Sequence, residues 1–217
     1  DHAEVAPFLI RILEKCTHLR SLVMNKNKIK SKKGYAGDFA ELITQELIDK
    51  LAANMPYLSK LDITGGSFES LPKGLSERLL WFQGSYLPHL KSLDLPHAKF
   101  ATIFNAENLR ELKGPRLKVL EMVKCTQLST LEAPKLMSFS LHWNTRLTQE
   151  QMPNPLYVNL VGVDMARVRF QKAKYVRADP SCNIPILQAP YAVIDTGNEN
   201  GLERVAAKKR KRPRASD

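Results

Sequence analysis

Residues able to carry out acid–base, nucleophilic or metal chemistry are scattered along this chain of 217 residues. The histidines are His2, His18, His89, His97 and His142, and the cysteines are Cys16, Cys125 and Cys182. Their spacing fits no metal-binding C-x-x-C or H-E-x-x-H motif, and the chain has no phosphate-binding glycine-rich loop or G-x-S-x-G nucleophile turn. We therefore predict no metal site, no cofactor and no enzymatic activity.

The composition is that of an ordinary globular protein, because 43% of the residues are hydrophobic and 25% are charged. Apolar runs such as Leu79 to Phe82 are far shorter than the roughly 18–20 residues of a membrane-spanning helix. The cysteines are odd in number and widely separated, which favours reduced thiols over a disulfide framework. We therefore expect a cytosolic or nuclear compartment.

A leucine-spaced pattern recurs along the chain, and the elements that it predicts must position any functional residues. The pattern is L-x-x-L-x-L-x-x-N/C, with apolar residues at positions 1, 4 and 6 and Asn, Cys or a small residue at position 9. One clear copy contains Leu117, Leu120, Met122 and Cys125. The copies begin near residues 19, 58, 90, 117, 136, 155, 173 and 189. Because side chains alternate along a strand, positions 4 and 6 are expected to be buried and positions 3 and 5 exposed.

The repeats resemble those of the leucine-rich repeat superfamily from Cys16 to about Gly197. The resemblance implies an α/β solenoid with a parallel β-sheet on its concave side. It also implies that the position 9 side chains of Asn27, Cys125 and Asn144 close the turns. The cysteine-bearing copy from Leu117 to Cys125 is similar to repeats of F-box leucine-rich repeat proteins, which are substrate adaptors of ubiquitin ligases, but no F-box is recognised.

The early repeats are longer than the late ones, so only the early ones have room for helices. Helical spacing predicts one helix from about Asp38 to Leu51, ended by Met55-Pro56, and a second from Ser76 to Phe82. We place these helices on the convex side of the N-terminal half. Short extended or turn segments are expected in the C-terminal half.

The predicted register places two groups of candidate binding residues on the concave face. Position 5 carries a stripe of acids, Asp62, Asp94 and Glu121, and position 3 carries a stack of tyrosines, Tyr157, Tyr175 and Tyr191. His142 and Trp143 fall beside the tyrosines. Aromatic residues rimmed by charge are typical of protein-binding hot spots. The alternatives are an aromatic ladder that only stabilises a sheet and a solvated acidic surface.

The repeat domain is assigned to residues 1–197, and residues 198–217 form a basic tail expected to be disordered. Its densest run is Lys208, Lys209, Arg210, Lys211 and Arg212. This run resembles a nuclear localisation signal read by an importin. A nonspecific nucleic-acid arm and a solubilising tail are the other interpretations.

We predict a nuclear protein-interaction scaffold that binds a protein partner through its concave face. One alternative is a nucleic-acid-associated factor that uses the basic tail and the basic loop from Lys26 to Lys33 on phosphates. Another is the substrate-recognition arm of a ubiquitin ligase adaptor. No membrane association is expected.

Overall fold

The computed structural model of the chain describes residues 10–24, 43–144, 146–148 and 152–197. These residues form a solenoid built mostly of parallel β-strands, with few helices. The basic tail, the loop from Lys26 to Lys33 and the predicted turn residue Asn27 lie outside the described residues.

The largest element is a sheet of parallel strands, called the main sheet below. Numbered in chain order, its strands are β1 (Ser21–Met24), β2 (Lys60–Thr64), β3 (Trp81–Ser85), β5 (Phe100–Phe104), β7 (Val119–Val123), β9 (Ser138–His142), β10 (Tyr157–Val161), β12 (Tyr175–Ala178) and β14 (Val193–Asp195). From β3 to β10 successive strands begin 19 residues apart.

Shorter strands on the return legs form two further parallel sheets. The strands β4 (Ser92–Asp94), β6 (Glu111–Lys113) and β8 (Thr130–Glu132) form one, and β11 (Arg167–Arg169) and β13 (Ile186–Gln188) form the other. From β3 to β9, each turn of the solenoid therefore contains one main-sheet strand and one short return strand.

Alternation of apolar and polar residues explains why these segments form strands with one buried side. In β7, Leu120 and Met122 are fully buried, whereas Glu121 between them is only partly buried. Leu93 and Leu112 of the return strands belong to the same hydrophobic core as Leu120. Both sheets thus bury their apolar sides in one continuous core, as expected for stacked repeats.

The predicted register is confirmed for the copies beginning near 19, 58, 117, 136, 155 and 173. Leu22 pairs with Leu61 in β2, and Leu120 pairs with Phe139 in β9. Val158 of β10 likewise pairs with Val176 of β12. Position 4 therefore faces the core in each of these strands.

The predicted copy beginning at Leu90 is wrong, because its position 4 residue Leu93 lies on return strand β4 and not on the main sheet. Leu90 and Leu93 stand where Leu109 and Leu112 stand one turn later. The main-sheet strands in this region are β3 and β5. Their inward residues include Gly84 and Ala101, which do not fit a leucine pattern.

The last repeat is also displaced from its predicted register. Val193 pairs with Tyr175, and Asp195 pairs with Arg177. The copy predicted to begin at 189 therefore begins two residues later, and Tyr191 precedes the strand.

Helices occupy the early part of the described chain. Residues 10–15 are helical, and α1 (Gln45–Asn54) begins at Thr44, whose Oγ1 accepts a hydrogen bond from Leu47 N at 3.3 Å. This helix overlaps the predicted segment from Asp38 to Leu51, of which residues 38–42 lie outside the described part. The predicted helix from Ser76 to Phe82 is wrong. Helix α2 spans only Lys73–Ser76, and Trp81 begins β3, because pairing with β2 and β5 outweighs local helical spacing.

None of the helices in the described ranges has the length and apolar composition needed to cross a bilayer.

A repeated turn ends the central main-sheet strands. Tyr86, Asn105, Lys124 and Trp143 follow their strands with φ between 50° and 55°. The N–H of Lys124 donates to the carbonyl of His142 at 3.0 Å, and the N–H of Trp143 donates to that of Val161 at 2.8 Å. These bonds tie each turn to the next strand.

Asn144 closes the turn after β9, which confirms the role predicted for it. Its side chain is buried and donates through Nδ2 to the carbonyl of Cys125 in the preceding turn. Its Oδ1 accepts hydrogen bonds from the N–H groups of Arg146 and Leu147. At the equivalent place one turn earlier, burial raises the pKa of the Cys125 thiol to about 12.

Candidate functional site

The outward side chains of the main sheet form three columns, because the strands stack in register. The first column contains Lys60, Trp81, Phe100, Val119, Ser138, Tyr157, Tyr175 and Val193. The middle column contains Asp62, Gln83, Thr102, Glu121, Ser140, Asn159, Arg177 and Asp195. The third runs from Thr64 through Ser85, Phe104, Val123 and His142 to Val161. A mostly polar column is thus flanked by two columns rich in apolar residues.

The predicted acidic stripe does not form. Asp94 lies on return strand β4, in register with Lys113, and is absent from the outer face of the main sheet. Asp62 and Glu121 do occupy the middle column, but β3 and β5 separate them and contribute Gln83 and Thr102. The stripe does not form because Asp94 belongs to return strand β4 and not to the main sheet.

The Asp62 side chain is largely buried, whereas the alternative interpretation of the acids was a solvated surface. Only 8% of its surface is exposed, and its Oδ1 has no hydrogen-bond partner among the described residues. Burial raises the pKa of Asp62, and the nearby Lys60 acts in the opposite direction. The Lys60 ammonium lies 4.5 Å from the centre of the Trp81 ring, a cation–π distance.

Two of the three predicted tyrosines lie at paired positions on adjacent strands. Tyr157 of β10 and Tyr175 of β12 are paired and exposed. The Tyr175 hydroxyl donates to Asp195 Oδ2 at 2.9 Å, and this bond raises the pKa of Tyr175. Tyr191 is 83% exposed but lies outside the column, where Val193 takes the predicted place.

His142 and Trp143 lie at the other end of the strands from the tyrosines. His142 ends β9, four residues beyond the level of Tyr157, a distance of about 13 Å along a strand. Trp143 is 46% exposed and contacts His142 edge-to-face, with ring centres 6.0 Å apart. Lys124 Nζ stands 5.9 Å from the Trp143 ring centre.

A polar network occupies the space between these aromatic groups. Asn159 Nδ2 donates to Ser140 Oγ at 3.0 Å and lies 3.1 Å from His142 Nε2. Ser140 Oγ lies 2.9 Å from the same Nε2. The donor and acceptor roles at Nε2 depend on the tautomer of the His142 imidazole. Partial burial lowers the pKa of His142, while Glu121 and Asp179 act in the opposite direction.

The Ser140–His142 contact places a serine hydroxyl beside an imidazole nitrogen, as in a nucleophile–base pair. The Asn159 side-chain amide lies 3.1 Å from His142 Nε2, the nitrogen that would have to accept the proton of the Ser140 hydroxyl. The contact lies on an outward face of the sheet and not within an enclosed cleft. Within the described ranges, no group of three or more His, Cys, Asp or Glu side chains is arranged to hold a metal ion.

Comparison of the chain with protein-family models, curated proteins and solved structures returns no match.

Sequence reasoning missed the outward residues of β3 and β5, among them Trp81, Phe100 and Phe104. A usable signal was present in the prolines Pro96, Pro115, Pro134 and Pro153, which recur every 19 residues. Each precedes a main-sheet strand by four residues, so this period locates β5 directly. The run from Lys208 to Arg212, predicted to be read by an importin, lies outside the described residues.

Proposed function

We propose that this chain is a leucine-rich repeat scaffold that binds a protein partner through the outer face of β9, β10 and β12. The residues expected to contribute most are His142, Trp143, Tyr157 and Tyr175. Trp and Tyr are enriched among residues that dominate protein–protein binding energy.

The observation that carries this proposal is the exposure of three large aromatic side chains around one ordered polar network. Trp143, Tyr157 and Tyr175 are each at least 36% exposed. The hydrogen bonds of Ser140, Asn159 and His142 hold the surface between them in one arrangement. A preorganised surface loses less conformational entropy when a partner binds.

The dimensions of the main sheet indicate how a partner would cover it. Nine strands about 4.8 Å apart span roughly 40 Å. A typical interface buries about 800 Å² on each partner, which requires most of such a sheet. We therefore expect the partner to extend from β12 toward Phe100.

Two observations support the leucine-rich repeat type. Buried apolar residues occupy positions 1, 4 and 6 of the copy that contains Leu117, Leu120 and Met122. The turn bond from Asn144 to the Cys125 carbonyl matches the position 9 role that the resemblance implies.

Affinity capture with matched variants tests the proposed binding face. The face variant combines Trp143→Ala, Tyr157→Ala and Tyr175→Ala. The control variant combines Tyr57→Ala, Leu80→Ala and Tyr191→Ala, which are exposed side chains outside the three columns. We expect at least one protein to be recovered with the wild type and the control but lost with the face variant. Equal recovery by all three would contradict the proposal.

The basic run from Lys208 to Arg212 supports nuclear import as the route by which the scaffold reaches its partner. Lys209→Ala with Arg210→Ala should move a fluorescent fusion of the full chain out of the nucleus. An unchanged distribution would contradict this part of the proposal.

A further inference from the structure

One edge of the main sheet carries a row of cations outside the proposed protein-binding face. We call it the basic edge and define it as Lys99, Arg116, Lys118, Lys135, Lys172 and Lys174, all exposed. Lys99, Lys118 and Lys174 immediately precede β5, β7 and β12, and the other three lie three residues before β7, β9 and β12. All six therefore stand at the edge where the main-sheet strands begin.

The backbone holds the central part of this row in register. The N–H of Lys118 donates to the carbonyl of Lys99 at 2.9 Å, and the N–H of Met137 donates to the carbonyl of Lys118 at 2.8 Å. Because neighbouring parallel strands are about 4.8 Å apart, the two lysine side chains leave the edge at that spacing. The backbone therefore fixes the spacing of Lys99 and Lys118 along the edge.

Acids are absent from the segments that carry the basic edge. The segments 96–100, 115–119, 134–138, 153–157 and 171–175 contain no Asp or Glu. Among the described residues, none of the six cations takes part in an ion pair. Like charges so close together repel one another, which leaves this edge suited to an anionic ligand with repeating charges.

The first column of outward side chains borders the cations on the sheet side, and its aromatic members are Trp81, Phe100, Tyr157 and Tyr175. Phe100 directly follows Lys99 and is 44% exposed, and Tyr175 directly follows Lys174. Single-stranded nucleic acids bind where a positive track follows the phosphates and neighbouring aromatic rings stack on the bases. A duplex conceals its base faces, and an acidic peptide has no flat bases for these rings to stack on.

We propose that the basic edge binds single-stranded nucleic acid, with phosphates on Lys99, Arg116, Lys118 and Lys135 and a base stacked on Phe100. This surface differs from the basic tail and from the loop at Lys26 to Lys33. Its cations are not among the residues of the protein-binding proposal, but Phe100 lies where the protein partner is expected to extend.

Fluorescence anisotropy with the full chain and labelled oligo-U or oligo-dT of about 12 nucleotides tests this site. The edge variant combines Lys99→Ala, Arg116→Ala, Lys118→Ala and Lys135→Ala. The control variant combines Lys15→Ala, Lys73→Ala, Lys91→Ala and Arg110→Ala, which removes the same number and type of exposed cations elsewhere. The basic tail is present in every protein, so its contribution cancels in the comparison.

We expect the edge variant to bind at least tenfold more weakly than the control. Each phosphate contact to a single strand contributes about 0.7 to the slope of log affinity against log salt, so this slope should fall by about three between roughly 50 and 200 mM salt. Phe100→Ala should weaken binding by at least about fivefold with no change in slope.

Circular dichroism of each variant checks that it is folded. If the edge variant does not fold, the milder variant Lys99→Gln with Lys118→Gln replaces it. We expect this variant to lower the slope of log affinity against log salt by about 1.4. Equal affinities of the edge and control variants would overturn the proposal. Equal binding of a duplex of the same length, or displacement by polyglutamate at matched charge, would also overturn it.

Discussion

The indole of Trp143 lies against the α-carbon of Gly162, which occupies the equivalent turn position one repeat later. A β-carbon on Gly162 would stand 2.3 Å from Trp143 Cδ1 and 2.6 Å from Nε1. Gly162 also has a φ of 58°, in the left-handed region that favours glycine. The position of an exposed aromatic ring on the proposed binding face therefore depends on the absence of a side chain in the next repeat.

Gly162→Ala should displace the Trp143 indole and lower the free energy of unfolding by about 1–2 kcal/mol, because alanine is strained at positive φ. Urea denaturation measures the stability, and tryptophan fluorescence in a Trp81→Phe background reports the ring. Gly74→Ala is the matched control, since the nearest side-chain atom would stand 3.9 Å from its β-carbon. An unchanged emission spectrum in Gly162→Ala would contradict the contact.

Asn144→Ala should destabilise the protein by roughly 2–4 kcal/mol, because it leaves the Cys125 carbonyl and the N–H groups of Arg146 and Leu147 without the bonds that Asn144 supplies. Denaturant unfolding measures the loss. Asn108→Ala provides the comparison, because the exposed Asn108 also bonds a carbonyl of the preceding turn, that of Pro88. Its expected cost is below about 1 kcal/mol. Equal losses would argue against the turn-closing role of Asn144.

Leucine spacing was enough to predict a repeating fold of parallel strands and the register of most of them. It failed at Leu90 because Leu90, just before return strand β4, and Leu93, within it, are buried in the same core with the spacing of a main-sheet copy. Strands β3 and β5 were not predicted, because their inward residues Gly84 and Ala101 do not fit the leucine pattern. Leucine spacing indicates which side chains are buried, but it does not indicate whether they come from the main sheet or from a return strand.

The candidate site was predictable where its residues came from copies with the correct register. Tyr157, Tyr175, His142 and Trp143 were found in this way. The network of Ser140, Asn159 and His142 was not, because it joins residues 17 to 19 positions apart through side-chain geometry. The basic edge was missed because its cations are adjacent only after the repeats stack.

His142 should make the folded state less stable in mild acid. Burial is the chief cause that lowers its folded-state pKa. The stability that His142 contributes is therefore present above the ordinary histidine pKa of about 6.5, and it is lost as the pH falls from there through the lowered folded-state pKa. His142→Gln keeps an acceptor but does not titrate. Its free energy of unfolding should therefore fall less than that of the wild type between about pH 7 and pH 5. Parallel pH profiles for the two proteins would contradict this prediction, and NMR of the imidazole carbons locates the titration directly.

The central claim is that a protein partner binds the outer face of β9, β10 and β12, and isothermal titration with the purified partner tests it most directly. Hot-spot residues cost about 2 kcal/mol or more when truncated, so Kd for Trp143→Ala with Tyr157→Ala and Tyr175→Ala should rise at least about 30-fold. The control with Tyr57→Ala, Leu80→Ala and Tyr191→Ala should stay within about threefold of the wild type. A face variant that binds as tightly as the control would contradict the account.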